Sequence, residues 1–143
     1  MKLCIIGTGY VGLVSGACFS DLGNSVICVD NDNKKIDNLK KGVMPIYEPG
    51  LDELVKKNYR SGKLKFTSNL KESVLKSDII FICVGTPKKK NSNAADLTQI
   101  YKLAKEISKY VKKFKIIITK STVPVTTSDK IEKIISKKVS KKL

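Results

Sequence analysis

Gly7-Thr8-Gly9-Tyr10-Val11-Gly12 follows directly on the apolar run Leu3-Cys4-Ile5-Ile6 and opens a segment with helical spacing. A bare G-x-G-x-x-G is weak evidence, because glycine-rich turns are common. Its position between a strand and a helix is what gives it meaning. Gly7 permits the tight turn, Gly9 lets the backbone approach a pyrophosphate, and Gly12 lets helix and strand pack closely. Phosphates would then face the free N–H groups and positive dipole end of the helix. Gly16 extends the close-packing face.

Outward from this turn, apolar strands alternate with helical patterns. Residues 2–6 read as a buried parallel strand, and Val11, Val14, Cys18 and Leu22 then recur at helical spacing up to a stop at Gly23-Asn24. Residues 25–29 form a second strand closed by Asp30. A short helix over 33–41 carries Ile36 and Leu39, and Gly42 ends it. A proline-bracketed loop over 44–50 leads to an amphipathic turn through Leu51, Leu54 and Val55. The alternation over 63–67 marks an edge strand.

In the second half, Asn69 with Glu72 caps a helix through Leu70, Val74 and Leu75, and the apolar run 79–84 is a central strand. A polar loop spans 88–93. Asp96 caps a helix whose apolar face runs from Leu97 through Ile100, Leu103, Ala104 and Ile107 to Val111. Residues 115–119 make a fifth strand. A last helix over 126–138 turns Ile131, Ile134 and Ile135 inward. Strands separated by helices require parallel pairing with right-handed crossovers. The expectation is one α/β domain, a Rossmann-type doubly wound sheet of order 3-2-1-4-5 with the sixth strand missing.

The totals bound the function. With 143 residues and a hydrophobic share of 41%, the chain suits one globular domain. Cys4, Cys18, Cys28 and Cys83 form no C-x-x-C pair and no histidine accompanies them, so no metal site is expected and the thiols read as reduced core residues. The longest apolar run falls far short of the ~20 residues of a membrane helix. The chain enters its glycine turn at once, so no signal peptide is expected and the protein reads as soluble and cytoplasmic. The net charge of +15 raises nucleic-acid binding, yet only Arg60 is arginine and no aromatic residues interleave with the lysines. A solvated lysine surface without specific nucleic-acid or membrane partners is the expectation.

Asp30 stands at the end of the second strand, where an acid accepts hydrogen bonds from adenosine ribose hydroxyls and repels a 2′-phosphate. The chain therefore reads as binding NAD rather than NADP. Asp30 alone could also cap the next helix, and S-adenosylmethionine enzymes use a similar turn and acid. Val84-Gly85-Thr86-Pro87 and Lys120-Ser121-Thr122-Val123-Pro124 follow the fourth and fifth strands, on the side where open α/β sheets bind ligands.

Five motifs in order now carry a resemblance: Gly-Tyr-Val-Gly-Leu (9–13), Tyr-Glu-Pro-Gly-Leu (47–51), Val-Gly-Thr-Pro (84–87), Ala-Asp-Leu (95–97) and Lys-Ser-Thr-Val-Pro (120–124). Together they resemble the UDP-glucose 6-dehydrogenases of the UDP-glucose/GDP-mannose dehydrogenase family over essentially the whole chain. The resemblance implies an NAD-dependent oxidoreductase that uses two NAD in succession to take the sugar C6 alcohol to a carboxylate. It places Val11 and the glycines Gly7, Gly9 and Gly12 at the pyrophosphate, counts Tyr10 among the cofactor-binding residues, and places Asp30 and Lys35 at the adenosine ribose, Thr86 near the cofactor's ribose, and Thr122 near the nicotinamide and the reacting carbon. GDP-mannose and UDP-N-acetylhexosamine dehydrogenases are similar, though the 47–51 and 120–124 spellings favour UDP-glucose.

Two departures accompany it. The family usually continues Val-Pro with Val/Pro-Gly-Thr, whereas this chain has Val125-Thr126-Thr127, a threonine in the glycine's place. The chain also ends before the family's Asn-Pro-Glu-Phe-Leu-type segment. The expectation is that the nucleophilic cysteine with its lysine and aspartate, the dimerising helix and the UDP-binding domain lie outside residues 1–143. UDP-glucose would then bind only with those domains, in a full-length homo-oligomer, and this chain alone could be an NAD-binding module without activity. None of the four cysteines matches the nucleophile; Cys18 is expected on the inward face of the first helix.

Overall fold

The computed structural model describes residues 1–90 and 94–139, so positions 91–93 of the expected polar loop lie outside the described residues. Five strands form one sheet: β1 (Lys2–Ile6), β2 (Ser25–Val29), β3 (Leu64–Thr67), β4 (Ile79–Ile82) and β5 (Ile116–Thr119). All neighbours are parallel and the order is β3-β2-β1-β4-β5, as expected. Six helices connect and flank them: α1 (Tyr10–Asp21), α2 (Asn33–Lys40), α3 (Leu51–Arg60), α4 (Leu70–Lys76), α5 (Thr98–Tyr110) and α6 (Thr127–Val139).

Alternation along β1 divides the core into two layers. Leu3 and Ile5 pack with Leu13 and Ala17 of α1, Ile36 and Leu39 of α2, and Leu51 and Val55 of α3. Cys4 and Ile6 face the other way, against Val74 of α4, Ile100, Ala104 and Ile107 of α5, and Ile131 and Ile135 of α6. Both sheet faces are thereby covered, which is why the strands read as continuous apolar runs.

Three expectations need correction. The buried face of α1 is Gly12, Leu13, Gly16, Ala17 and Ser20. Cys18 is exposed, not inward, and Leu22 is 78% exposed. A Cβ on Gly16 would stand 2.4 Å from Cys28 Sγ, so the face that meets the sheet carries the least side chain and leaves little apolar pattern to read. The amphipathic turn after residue 50 is a full helix, α3. Asp52 and Glu53 in its first turn and Lys57 and Arg60 in its last complement the dipole. Asp96 lies one residue before Leu97, the N-cap of α5, although its Oδ1 still accepts the Thr98 amide at 2.9 Å. The α4 cap is as expected, the Asn69 side chain accepting from the Glu72 amide at 3.1 Å.

Thr126 enters α6 with φ +74°, the one non-glycine residue at positive φ among the described residues. Its carbonyl accepts the Lys130 amide at 3.2 Å, the bond that starts the helix. A β-branched residue in the left-handed region is strained by about 1–3 kcal/mol. Glycine removes the clash but adds unfolded-state entropy of roughly 0.5–1 kcal/mol. Thr126→Gly is therefore expected to stabilise the chain by about 1 kcal/mol, raising the thermal midpoint by roughly 2–4 °C in calorimetric scans. A lowered midpoint would contradict the strain.

Candidate functional site

The order β3-β2-β1-β4-β5 places the reversal of winding between β1 and β4. Connections leave these two strands to opposite faces and open a crevice at their carboxyl ends. A cleft of about 660 Å³ lies there, lined by Gly7 and Gly9 of the turn, Asp30 and Lys35 after β2, and Val84 and Gly85 after β4, with Leu103 and Glu106 of α5 forming a further wall.

Gly7 takes φ +100°, donates its amide to the Val29 carbonyl at 2.7 Å, and would bring a Cβ within 2.6 Å of the Cys83 carbonyl oxygen. A Cβ on Gly12 would stand 1.8 Å from the Gly7 carbonyl oxygen, so the glycine's first task is to let α1 close on the turn itself. Gly9 differs, with nothing within 4 Å of its would-be Cβ. Its extended backbone, φ −75° and ψ −167°, is one that alanine also adopts. Gly9 thus forms an open cradle, and the glycine there serves whatever enters it. The first bond of α1 runs from the Leu13 amide to the Gly9 carbonyl at 2.9 Å, so the amides of Tyr10, Val11 and Gly12 precede the helical ladder. Tyr10 and Val11 are exposed, and the Tyr10 hydroxyl donates to the Glu48 carboxylate.

Asp30 is buried, and its Oδ2 accepts from the Thr8 amide at 2.9 Å, the Thr8 hydroxyl at 2.7 Å and Lys35 Nζ at 3.0 Å. Its Oδ1 accepts from the Asp32 amide at 3.1 Å. Burial pushes this carboxyl upward. The donors from Thr8, Asp32 and Lys35 outweigh burial and hold it below the usual carboxylate range, so it is ionised at neutral pH. The helix cap of α2 is Asp32, whose side chain accepts the Lys35 amide at 3.0 Å. The capping alternative for Asp30 is therefore set aside.

Thr86 and Thr122 come together, Thr86 Oγ1 donating to the Thr122 carbonyl at 2.9 Å. Ser121 Oγ returns a bond to the Val84 carbonyl at 2.7 Å, stitching the loops after β4 and β5. Val84 and Gly85 line the cleft, whereas Thr86 and Thr122 do not. Sequence reasoning missed Thr8, hidden as an unspecified position of the glycine motif. It also missed Gln99, Lys102 and Glu106, which line the cleft from α5. Their i, i+3, i+7 spacing was readable as a second face of that helix.

A doubly wound parallel sheet with a glycine turn under a helix N-terminus and a carboxylate at the end of β2 defines a Rossmann-type domain. The whole chain, residues 1–143, matches the NAD binding domain of the UDP-glucose/GDP-mannose dehydrogenase family, and it belongs to that family. It is 54% identical over 135 residues to a UDP-glucose 6-dehydrogenase of Rhizobium meliloti, covering 94% of this chain and 31% of the relative. Over 136 residues it is 50% identical to a UDP-glucose 6-dehydrogenase of Bacillus subtilis, covering 95% of this chain and 29% of the relative. The structure of a ternary complex of GDP-mannose dehydrogenase from Pseudomonas aeruginosa superposes with a TM-score of 0.91 at 38% identity, over 98% of this chain and 33% of that one. The chain thus spans about a third of the length of its relatives. NAD is the cofactor of this domain.

The glycines separate fold from binding. Gly12→Ala is expected to cost about 3 kcal/mol in urea unfolding, because the clash is with backbone. Gly9→Ala meets no clash and should cost only about 1 kcal/mol of stability, as the loss of a glycine N-cap, yet weaken NAD at least about tenfold by calorimetric titration. Unchanged affinity would mean that no phosphate approaches Gly9.

Proposed function

We propose that this chain is the cofactor-binding part of a UDP-glucose 6-dehydrogenase, which converts UDP-glucose to UDP-glucuronate at the expense of two NAD. The observation that carries this reading is the joining of an open cradle at Gly9 to an ionised Asp30 in one cleft at the strand reversal. The choice of UDP-glucose rests on the 54% and 50% identities to relatives bearing that name. Gly7, Gly9, Tyr10, Val11 and Gly12 hold the pyrophosphate, with the amides ahead of the α1 ladder as donors. Asp30 accepts the adenosine ribose hydroxyls while Lys35 fixes its carboxylate. Thr86 supports the nicotinamide-side ribose and Thr122 stands by the reacting carbon, their loops held by the mutual bonds of Thr86 and Ser121. When bound, NAD supplies a hydride acceptor.

The nucleophile, the sugar pocket and the dimer contacts belong to the rest of the protein. The thiols here support that division. Burial pushes Cys4 up to about 12 and Cys83 to about 11, and moves Cys28 upward as well, so none of these three is a thiolate nucleophile at neutral pH. Cys18 sits outside the lining of the cleft. No helix among the described residues is long and apolar enough to cross a membrane.

Titration with both dinucleotides tests the cofactor reading. The chain is expected to prefer NAD to NADP, and Asp30→Ala to weaken NAD by about 1.5–3 kcal/mol and erase most of the preference. Because Asp30 also pins Thr8, Thr8→Val serves as the control. It disturbs the turn but keeps the charge, and should weaken both dinucleotides while preserving their ratio. Equal wild-type affinities would sink the role of Asp30.

The division of labour has its own test. Residues 1–143 with NAD and UDP-glucose should produce no NADH above background, since the missing groups underlie rate enhancements of at least ~10⁶-fold. Turnover matching that of a full-length relative would overturn the proposal and return attention to the four cysteines.

A further inference from the structure

We propose that Glu48 is a positioning residue for cofactor binding, acting through Tyr10 to hold the first turn of α1 in its phosphate-receiving geometry. The inference rests on the reading that the pyrophosphate sits at this helix end.

Tyr10 is the first residue of α1 and is attached through its backbone to the amides that precede the helical ladder. Its far end is also held, because the hydroxyl donates to a Glu48 carboxylate oxygen 38 residues along the chain. Glu48 is anchored in turn. Its carbonyl accepts the Leu51 amide at 3.1 Å, closing the turn that starts α3. Leu51 and Val55 are buried in the layer that also holds Leu13 and Ala17 of α1. A tie thus runs from the core through the start of α3 to Glu48, then Tyr10, then the donor amides.

For stability alone this tie does little. Tyr10 is 55% exposed, and an exposed hydroxyl exchanges water for a carboxylate with small net gain. Its consequence lies where disorder matters. A helix end frays unless something fixes it, and a frayed first turn would scatter the amides of Tyr10, Val11 and Gly12. Preorganising those donors lowers the ordering cost on binding. The bond also gives the Glu48 carboxylate a donor within the chain. The carboxylate in turn holds the Tyr10 hydroxyl proton more firmly than usual, so the bond persists through neutral and mildly alkaline pH.

A double-mutant cycle on the 143-residue chain tests this, with NAD affinity and thermal midpoint read for each protein. Tyr10→Phe and Glu48→Ala should each weaken NAD roughly fivefold, and the double variant should be no weaker than either single. Glu48→Gln, which keeps an acceptor, should bind within about twofold of wild type, and all midpoints should stay within a few degrees. A wild-type chain that fails to bind NAD would overturn the underlying reading. A chain that binds NAD but is indifferent to Glu48→Ala would overturn the inference alone. Additive losses, or losses that track the folded fraction, would also overturn it.

Discussion

The carbonyl oxygen of Gly7 lies 1.8 Å from where a Cβ on Gly12 would stand, and that impossible distance organises the molecule. No other residue fits position 12 with the helix and turn so placed. The contact sets the N-terminus of α1 directly on the end of β1, so its unladdered amides open over Gly9. One turn later Gly16 repeats the condition against Cys28 of β2, with 2.4 Å to the sulfur. The axis of α1 is thereby pressed flat over two central strands. The helix then presents Leu13 and Ala17 to the layer in which α3 packs. A Cβ at Gly12 would force the helix off the turn, whereas one at Gly16 would have to displace the Cys28 side chain.

Closing the turn so tightly buries Thr8 completely, with an amide and a hydroxyl that need partners. Asp30 supplies both, and in doing so becomes a buried carboxylate that itself needs donors. Two from Thr8, one from Asp32 and one from Lys35 satisfy it. Four donors, one of them cationic, offset the cost of desolvation and hold the group ionised. The carboxylate proposed to read the ribose is therefore also the pin of the glycine turn. That coupling explains why Thr8→Val is needed to separate the two effects.

Features carried by unique local chemistry were legible in the sequence. The strand before the turn, the alternation of apolar runs with helical spacing, and the acid closing β2 led to the sheet order found. The features that eluded sequence reading share a physical cause. Apart from Leu13, the buried side of α1 is built of the small residues Gly12, Gly16, Ala17 and Ser20, so periodicity selected the neighbouring stripe and put Cys18 inside. The start of α3 looked like an isolated turn because its buried stripe continues from Leu51 and Val55 to a polar residue, Asn58. Thr8 and Glu48 act through tertiary bonds spanning 22 and 38 residues, which no local pattern encodes. The threonine at position 126 was visible as a departure, and its meaning came only with a φ of +74°.

The charge distribution adds a constraint of its own. Of the 28 cationic residues, 18 follow residue 68, with only 6 of the 13 acids, so the excess lies in the half that builds α4 to α6. On net charge alone a chain of +15 would favour NADP, the more anionic dinucleotide. The proposed preference runs the other way, and magnitudes decide it. Exposed lysines act through water and are largely screened beyond about 10 Å at 0.1 M salt. A 2′-phosphate beside Asp30 would instead meet its charge at contact, where one unit pair is worth about 4 kcal/mol at an effective dielectric near 20. Lys35 offsets part of that repulsion at 3.0 Å, but it donates to Oδ2 and is already engaged. Asp30 and a phosphate are both acceptors, so no hydrogen bond can repay the desolvation of either. Ribose hydroxyls can donate, and for them the same carboxylate is a partner. A single group in contact thus outweighs a molecule-wide field, because the field is screened and the contact is not.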